Sequence, residues 1–334
     1  MTGSLAPDAV SSLAVAYGLH PVGPAQRVSA RVWQLPTRTG HVAIKRHGLE
    51  RQAQAEREAA ILAHLQAAAG DPRCRVQTLC RTRSGDALWH GVDGPVLVTR
   101  WEAGSMRTFD TFSRPTWQAL GTSLAALHGH LDTLVLSSLP TLRERLHAID
   151  AETLRHDLLA DVGEAARAGT ADAVRPYVGN ALRLIDAHHA GSLRGFPADD
   201  PQRPIHHDYN QFNYVFGRTL PPVILDWEAA IGAPRAYELV RCLNHLPLVA
   251  PDAAETFVKA YVMQRPLALD TLPWAVDAAC LQHACKRWVL QGWLAEPARF
   301  ATHLAGAIQM TSLMVDARDR LIDFYQRCAR GSLA

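Results

Sequence analysis

This sequence of 334 residues lacks the features of membrane, secreted and nucleic-acid-binding proteins. No stretch approaches the ~18 consecutive apolar residues of a membrane span. The N-terminal segment has no basic start, and Pro7, Asp8 and the Ser11-Ser12 pair break its apolar run, which is atypical of a signal peptide. The net charge of +2 comes without a block of Lys and Arg, so we expect no nucleic-acid partner.

Closely spaced cysteine pairs are also missing. The six cysteines are scattered and form no CxxC or CxxH motif, which argues against a structural zinc site or a disulfide framework. We therefore expect reduced thiols, a cytoplasmic location and no membrane association. The hydrophobic content of 48% suits a packed globular protein, and the length suits about two domains.

The first 101 residues are rich in strand patterns. The segments "RVSARVWQL" and "GHVAIKRH" carry β-branched and aromatic residues on either side of a turn at 37–40, which predicts a hairpin. Residues 53–70 carry a helical apolar stripe that ends at a glycine. The segments "CRVQTLCRT", "ALWHGV" and "PVLVTRW" predict three further strands up to Trp101.

Helical spacing dominates after residue 104. Trp117, Leu120, Leu124 and Leu127 recur behind Pro115, and helices with proline-containing breaks are predicted from 237 to 331. The pattern predicts an α+β protein of two lobes: residues 1–101, with an antiparallel sheet and one helix, and residues 102–334, which are mainly helical. A short β insertion near residues 205–226 belongs to the second lobe.

That insertion contains a polar motif of the form H-x-D-x-x-x-x-N, from His206 to Asn213. In the catalytic loop of kinases, the aspartate of this motif accepts the proton of the substrate hydroxyl and the asparagine holds magnesium. An apolar hairpin then leads to Asp226, a second hard oxygen ligand suited to magnesium. The alternative interpretation is a polar turn in which Asp208 caps the chain and His206 is buried and hydrogen-bonded.

The segment "VAIK" at 42–45 matches the kinase motif whose lysine pairs with nucleotide phosphates. Glu58 shares a helix face with Leu62 and Leu65, so we predict that it holds Lys45; Glu56 and Glu50 are alternatives. Taken singly, Lys45 and Glu58 would be interpreted as solvated surface charges. In this order along the chain, these residues and the downstream acidic motifs predict a phosphoryl-transfer site.

With these motifs, the chain resembles the aminoglycoside phosphotransferase family of small-molecule kinases, which includes choline-kinase-like and homoserine-kinase-like enzymes. The resemblance runs in order through "HVAIKRH", "EREAAILAHL", "PVLVTRWEAG", "LGTSLAALHGHL", "HHDYNQFNYVF" and "VILDWEAA". It implies a two-lobed protein-kinase-like fold that binds ATP and Mg²⁺. It further implies these roles: Asp208 as catalytic base, Asn213 and Asp226 as magnesium ligands, Lys45 with Glu58 as phosphate clamp, and Trp101 and Glu102 beside the adenine through backbone contacts.

The chain departs from the family pattern at several positions. His207 stands where the family usually has glycine, and "GPAQRVSA" has no G-x-G-x-x-G, so phosphate contacts from that loop are in question. Trp227 and Glu228 replace the Phe-Gly of protein kinases, and no activation segment follows. Glu238 stands where many members have aspartate, a change we interpret as structural.

We therefore expect an ATP-dependent phosphotransferase acting on a hydroxyl of a small molecule. The alternatives are a catalytically silent binding or coat-type protein of the same fold, and a protein kinase. From residue 237 onward the sequence has nine carboxylates and ten basic residues, so it offers no surplus of negative charge for a polycationic acceptor. Trp274, Trp288 and Trp293 could supply aromatic faces, although helix-core packing is the simpler interpretation for two of them. We expect a neutral or singly charged acceptor.

Overall fold

The computed structural model describes residue 5, residues 7–68 and residues 70–330 of the chain. They form two compact units. The first comprises the chain up to Leu139 together with Arg203–Ile231, and the second comprises Pro140–Gln202 and the chain from Gly232 onward. The first unit thus includes the H-x-D-x-x-x-x-N segment as well as the predicted N-terminal lobe. The lobe boundary after Trp101 is a different division of the chain and stays a prediction.

An antiparallel five-stranded sheet forms the centre of the first unit, in the order β1-β2-β3-β5-β4. Buried residues alternate along β2 and β3, so one face of these two strands is buried and the other is available to a site, whereas β5 is buried along almost its whole length. In this register Lys45 pairs with Val32 on one side and with Leu97 on the other. The strands are β1 Gln26–Arg27, β2 Val32–Thr37, β3 Gly40–Arg46, β4 Leu88–Gly91 and β5 Gly94–Arg100.

Three helices accompany this sheet: α1 Pro7–Tyr17, α2 Gln52–Ala67 and α3 Arg114–Leu131. Leu13 and Tyr17 of α1 pack on Leu35 and Ile44 in one apolar cluster that covers a face of the sheet. Helices α2 and α3 lie where the apolar periodicity predicts them. The start of α3 follows from its sequence, because Ser113 caps the first turn and a proline follows within it.

The segment 74–82, predicted as a strand, is irregular and makes only isolated bridges at Val76 and Leu79. Its backbone is held in part by a side chain, since Leu79 N donates to Gln66 Oε1 at 3.0 Å. The prediction of a strand there was wrong, because the segment pairs with other strands at two single positions and forms no continuous ladder.

The apolar hairpin after the H-x-D-x-x-x-x-N motif consists of β7 Tyr214–Val215 and β8 Val223–Ile224, and short strands β6 Pro204–Ile205 and β9 Ile231–Gly232 flank it. Leu225 N donates to Asn213 O at 2.9 Å, so the residue after the hairpin lies against the end of the motif. Tyr209 is buried and donates from its hydroxyl to Leu120 O at 3.0 Å, which attaches the motif to α3.

The second unit is helical. Its core pairs α6 with α10: the Tyr177 hydroxyl donates to His283 O at 3.0 Å, and Trp274 Nε1 donates to Ser192 O at 2.7 Å. The helices are α4 Leu142–His147, α5 Ala151–Arg167, α6 Ala171–Arg194, α7 Arg235–Leu243, α8 Leu246–Val249, α9 Pro251–Val262, α10 Leu272–Ala284, α11 Arg287–Ala295, α12 Pro297–Met314 and α13 Arg318–Arg330.

The predicted α+β class, with an antiparallel N-terminal sheet and a larger helical part, is confirmed. Within residues 7–68 and 70–330, no helix combines the length and apolar character needed to cross a membrane.

Candidate active site

Three carboxylates converge on the ammonium group of Lys45. Its Nζ lies 2.9 Å and 3.0 Å from the two carboxylate oxygens of Glu58, 2.6 Å from Asp226 Oδ1 and 2.9 Å from Glu228 Oε2. Glu58 is fully buried on α2, whereas 44% of the Asp226 side chain is exposed. The lysine of "VAIK" is therefore joined to the predicted helix partner and to the predicted metal ligand at the same time.

The electrostatics of this cluster follow from its crowding. Burial raises the pKa of Glu58 to about 7, against the opposing effect of Lys45. Burial opposes the charge of Lys45 too, but the three carboxylates outweigh it and raise the pKa of the ammonium. Although burial also acts against Glu228, a hydrogen bond from Arg31 and the charge of Lys45 lower its pKa to about 2. Lys45 and Glu228 thus carry their charges at neutral pH.

Local backbone geometry directs Asp226 to Lys45. Asp226 adopts a left-handed conformation with φ of 59°, which aspartate tolerates better than most residues. Its N–H donates to Gln77 Oε1 at 3.0 Å, and Gln54 Nε2 donates to Glu228 O at 3.0 Å. Gln54 near the start of α2 and Gln77 in the segment after this helix thereby hold the short turn that carries Asp226 and Glu228.

The H-x-D-x-x-x-x-N motif folds into a loop that holds Asp208 by hydrogen bonds. Asn210 Nδ2 donates to Asp208 Oδ1 at 2.7 Å, and Asn213 Nδ2 donates to Asp208 Oδ2 at 2.8 Å. His206 is buried between Leu225 O, at 2.7 Å from Nε2, and the Asp208 N–H, at 3.2 Å from Nδ1. Burial lowers the pKa of His206, so the neutral ring donates from Nε2 and accepts at Nδ1. His206 thus joins the loop to the strand before Asp226.

His207 has a φ of 66°, in the left-handed region that favours glycine. This geometry gives a physical reason for the glycine that the family usually has at this position. A histidine here carries backbone strain of about 1–2 kcal/mol, and the side chain is 8% exposed.

A cavity of about 330 Å³ lies beside Lys45 within the first unit. Its apolar walls come from the sheet and from the β7–β8 hairpin, and include Ala43, Leu97, Val215 and Leu225. Polar groups of Lys45, Asn213 and Asp226 line the same cavity. An apolar space with a few charged groups on one side is typical of a site for a small molecule or cofactor.

The segment after β5 also lines this cavity through Trp101, Glu102 and Gly104. Trp101 N donates to His41 O at 2.9 Å, so the N–H of Trp101 is used within the fold. Burial raises the pKa of the Glu102 carboxyl, against a backbone hydrogen bond from Thr78. Gly104 passes the hairpin so closely that a Cβ would lie 2.4 Å from Phe216 O, so only glycine fits.

The donor set at the junction of loop and hairpin fits a magnesium ion. Asn213 directs its amide nitrogen to Asp208, and its remaining polar atom is the carbonyl oxygen Oδ1. Asp226 contributes a partly exposed carboxylate on the same cavity. One amide oxygen and one carboxylate, with room for phosphate and water, are the ligands that magnesium prefers.

Every residue that the sequence analysis assigned to the site lies in the first unit, around the Lys45 cavity or the adjoining loop. The alternative partners of Lys45 point elsewhere: Glu56 accepts from Gln52 Nε2 at 2.9 Å, and Glu50 lies 3.7 Å from Arg51 Nε. The sequence analysis missed two residues of the cluster, Glu228 and Arg31, whose side chains are joined at 2.6 Å. Position alone would have suggested Glu228, which follows Asp226 by two residues.

Comparisons with known proteins agree with this geometry. The model of the phosphotransferase enzyme family (APH) matches residues 22–272. No curated protein sequence matches the chain. Among solved structures, the fold is similar to an aminoglycoside phosphotransferase from Alicyclobacillus acidocaldarius, with 15% identity, a TM-score of 0.62 and coverage of 99% of this chain and 98% of that chain.

Two further solved structures share the fold. A complex of amicoumacin kinase with AMP-PNP, Ca²⁺ and Ami has 12% identity and a TM-score of 0.65, and the match covers 95% of this chain and 92% of that chain. A microcompartment-associated aminopropanol kinase has 15% identity and a TM-score of 0.54, with coverage of 96% and 99%. The prediction of a small-molecule kinase is confirmed at the level of the family. Because its model matches three quarters of the sequence, the chain belongs to the phosphotransferase enzyme family.

Proposed function

We propose that this protein transfers the γ-phosphate of ATP to a hydroxyl group of a small molecule. The observation that carries the proposal is the convergence of Glu58 and Asp226 on Lys45, within 3.0 Å, at the edge of an apolar cavity. In phosphoryl transfer a protein mainly positions the phosphates and stabilises their charge. A lysine held by a buried carboxylate supplies a fixed positive charge for that purpose.

Asp208 is the proposed base. Its carboxylate is exposed and is held by Asn210 and Asn213, so it can accept the proton of an acceptor hydroxyl without reorienting. Asn213 Oδ1 and Asp226 would hold Mg²⁺, which neutralises charge on the β- and γ-phosphates when bound. The apolar walls of the cavity would hold the adenine, and the backbone at Trp101 and Glu102 would contact its polar edge.

The acceptor is proposed to be neutral or singly charged. In the second unit, two of the nine carboxylates after residue 237 are already ion-paired: Asp277 accepts from Arg318 at 2.7 Å, and Glu255 lies against Lys259 at 2.5 Å. Trp274 is a core residue, whereas 56% of Trp288 is exposed. The aminopropanol kinase of similar fold is named for an acceptor of this charge class.

Purified protein incubated with ATP, Mg²⁺ and a panel of hydroxyl compounds tests both parts. The panel should contain neutral polyols, nucleosides, amino alcohols and kanamycin-like polycations, with ADP formation and product mass as readouts. Phosphorylation of a neutral or singly charged member supports the proposal. If only polycations are turned over, the proposed acceptor class is wrong but the proposed kinase function stands. If the protein neither turns over any acceptor nor binds nucleotide, the proposed kinase function is wrong. A silent member of the fold would bind nucleotide without turning over any acceptor.

A further inference from the structure

The turn between β1 and β2 lies over the nucleotide cavity but has the wrong sequence for a glycine-rich phosphate loop. Val28, Ser29 and Val32 line the cavity. No glycine occurs from β1 to β2, and the N–H groups of Val28 and Ser29 both donate to Val32 O, at 2.9 Å and 3.1 Å. These two amides are used to close the hairpin, so they cannot cradle phosphates as the amides of a glycine-rich loop do.

The last residue of this turn, Arg31, instead extends its side chain to the Lys45 cluster. Arg31 Nη2 lies 2.6 Å from Glu228 Oε1, and Glu228 Oε2 lies 2.9 Å from Lys45 Nζ. One carboxylate group therefore bridges two cations, one oxygen to each. A phosphate group offers the same arrangement of anionic oxygens, and arginine and lysine are the side chains that bind it.

A second observation shows unused capacity in this arginine. Arg31 Nη1 is buried and has no hydrogen-bond partner among the residues that the structure describes. A buried guanidinium nitrogen normally finds an acceptor, because leaving it unsatisfied is costly. The nitrogen is therefore available to an anion that enters between the turn and Lys45.

We infer that Arg31 is a phosphate-binding residue of the nucleotide site, which replaces the backbone amides of a glycine-rich loop, and that Glu228 occupies the phosphate position between Arg31 and Lys45 until nucleotide binds. The inference rests on the proposed kinase function and adds the chemistry of the β1–β2 turn to it. The ligand class is the β- and γ-phosphates of a nucleoside di- or triphosphate.

Arg46 offers a matched control for Arg31. It lies on β3 of the same sheet, its side chain is 32% exposed against 34% for Arg31, and it also donates to a carboxylate, Asp93, at 2.6 Å. Arg31→Gln and Arg46→Gln therefore remove the same charge and the same kind of ion pair, one joined to the Lys45 cluster through Glu228 and one joined to Asp93. Thermal unfolding of both variants shows whether either substitution perturbs folding.

Calorimetric titration with Mg²⁺–ADP, Mg²⁺–AMP-PNP and adenosine gives the first test. A charge-assisted hydrogen bond to phosphate corresponds to an affinity loss of roughly 10- to 100-fold when removed. We expect Arg31→Gln to lose that much for both phosphorylated ligands and nothing for adenosine, and Arg46→Gln to bind all three normally. Arg31→Lys should recover part of the loss, because it keeps the charge without the fork. Equal affinities in Arg31→Gln and Arg46→Gln would overturn the inference.

The exchange between Glu228 and phosphate has its own readout. If Glu228 competes for Arg31 and Lys45, Glu228→Gln should bind Mg²⁺-free ADP more tightly than the unsubstituted protein, since one competing charge is removed. Weaker binding, parallel to that of Arg31→Gln, would show that Glu228 orients Arg31 and would overturn the exchange. An unsubstituted protein that binds no nucleotide refutes the proposed function itself, whereas normal binding by Arg31→Gln refutes this inference alone.

Discussion

Asp208→Asn tests the proposed catalytic role of Asp208, which has to be distinguished from the role of its carboxylate in the hydrogen bonds of the loop. Each of its carboxylate oxygens accepts a hydrogen bond, one from Asn210 Nδ2 at 2.7 Å and one from Asn213 Nδ2 at 2.8 Å. The side-chain amide of an asparagine at this position has only one oxygen, so its NH₂ group would lie against the NH₂ group of either Asn210 or Asn213, and that hydrogen bond would be lost. The substitution therefore removes the proposed base and one hydrogen bond together.

The two losses differ in size. One hydrogen bond contributes about 1 kcal/mol, which corresponds to less than about tenfold in rate if it acts on the transition state. Loss of a general base costs about 10²- to 10⁴-fold in turnover. We therefore expect kcat to fall by at least about 100-fold in Asp208→Asn, with the affinity for Mg²⁺–ATP changed by less than about threefold.

Asn210→Ser supplies the comparison that isolates the structural part. A serine can still accept from Phe212 N, as Asn210 Oδ1 does at 2.9 Å, but it is too short to donate to Asp208 in the same way. Steady-state kinetics with an acceptor found in the panel, and calorimetry with ATP, measure both variants. If kcat fell by the same small factor in Asp208→Asn and in Asn210→Ser, the role of Asp208 would be limited to the structure of the loop, and another group would have to act as the base.

Three further predictions concern the metal ligands and two histidines. Asp226→Ala should abolish the gain in nucleotide affinity that Mg²⁺ brings, and Asn213→Ala should reduce this gain less, because it removes a neutral ligand. Titrations with and without Mg²⁺ measure the gain. The same gain in Asp226→Ala as in the unsubstituted protein would contradict the prediction. Burial, with the charge of Lys45, lowers the pKa of His47 from 6.5 to about 4, so on acidification the unfolded state takes up a proton before the folded state does. The free energy of unfolding then decreases as the pH falls through this range. Between about pH 7.5 and about pH 5, urea unfolding should show about 2 kcal/mol less of this decrease in His47→Gln than in the unsubstituted protein. The same pH dependence of the free energy of unfolding in both proteins would refute the reasoning. His207→Gly should be about 1 kcal/mol more stable than His207→Ala in the same measurement, since only the alanine keeps the strain of a positive φ, and the reverse order would show that the backbone there is relaxed.

The parts of the site that could be predicted are those that regular secondary structure places. Glu58 lies one helical turn before Leu62 and shares a face with Leu65, and both leucines are buried. A residue on the buried face of α2 must point into the unit, so the pairing with Lys45 follows from periodicity. Asp208 and Asn213 likewise follow from a motif whose spacing is set by one loop.

Arg31 and Glu228 could not be predicted in this way, because their contact joins residues 197 positions apart through two irregular segments. The direction of Glu228 depends on the left-handed backbone of Asp226, and no residue pattern announces that conformation at an aspartate. The direction of the Arg31 side chain depends on a turn that has no glycine and that is closed by the N–H groups of Val28 and Ser29. The same limit explains the error at 74–82, where an apolar pattern resembles a strand but Gln66 takes one of the amides.

The charges around Lys45 connect these observations. The carboxylates of Asp226 and Glu228, with Glu58 only partly ionised at its pKa of about 7, lie against two cations, Lys45 and Arg31, so the cluster has no surplus of positive charge. His47 adds none, because its lowered pKa keeps the ring neutral. A nucleotide brings several more negative charges to the same place, and at distances near 4 Å like charges repel by about 4 kcal/mol at an effective dielectric of 20. Phosphates can therefore enter only if carboxylates release the cations or if a divalent ion enters with them. The proposed exchange at Glu228 and the proposed metal binding at Asp226 would supply these two routes, and nucleotide affinity should then respond to substitution of either residue.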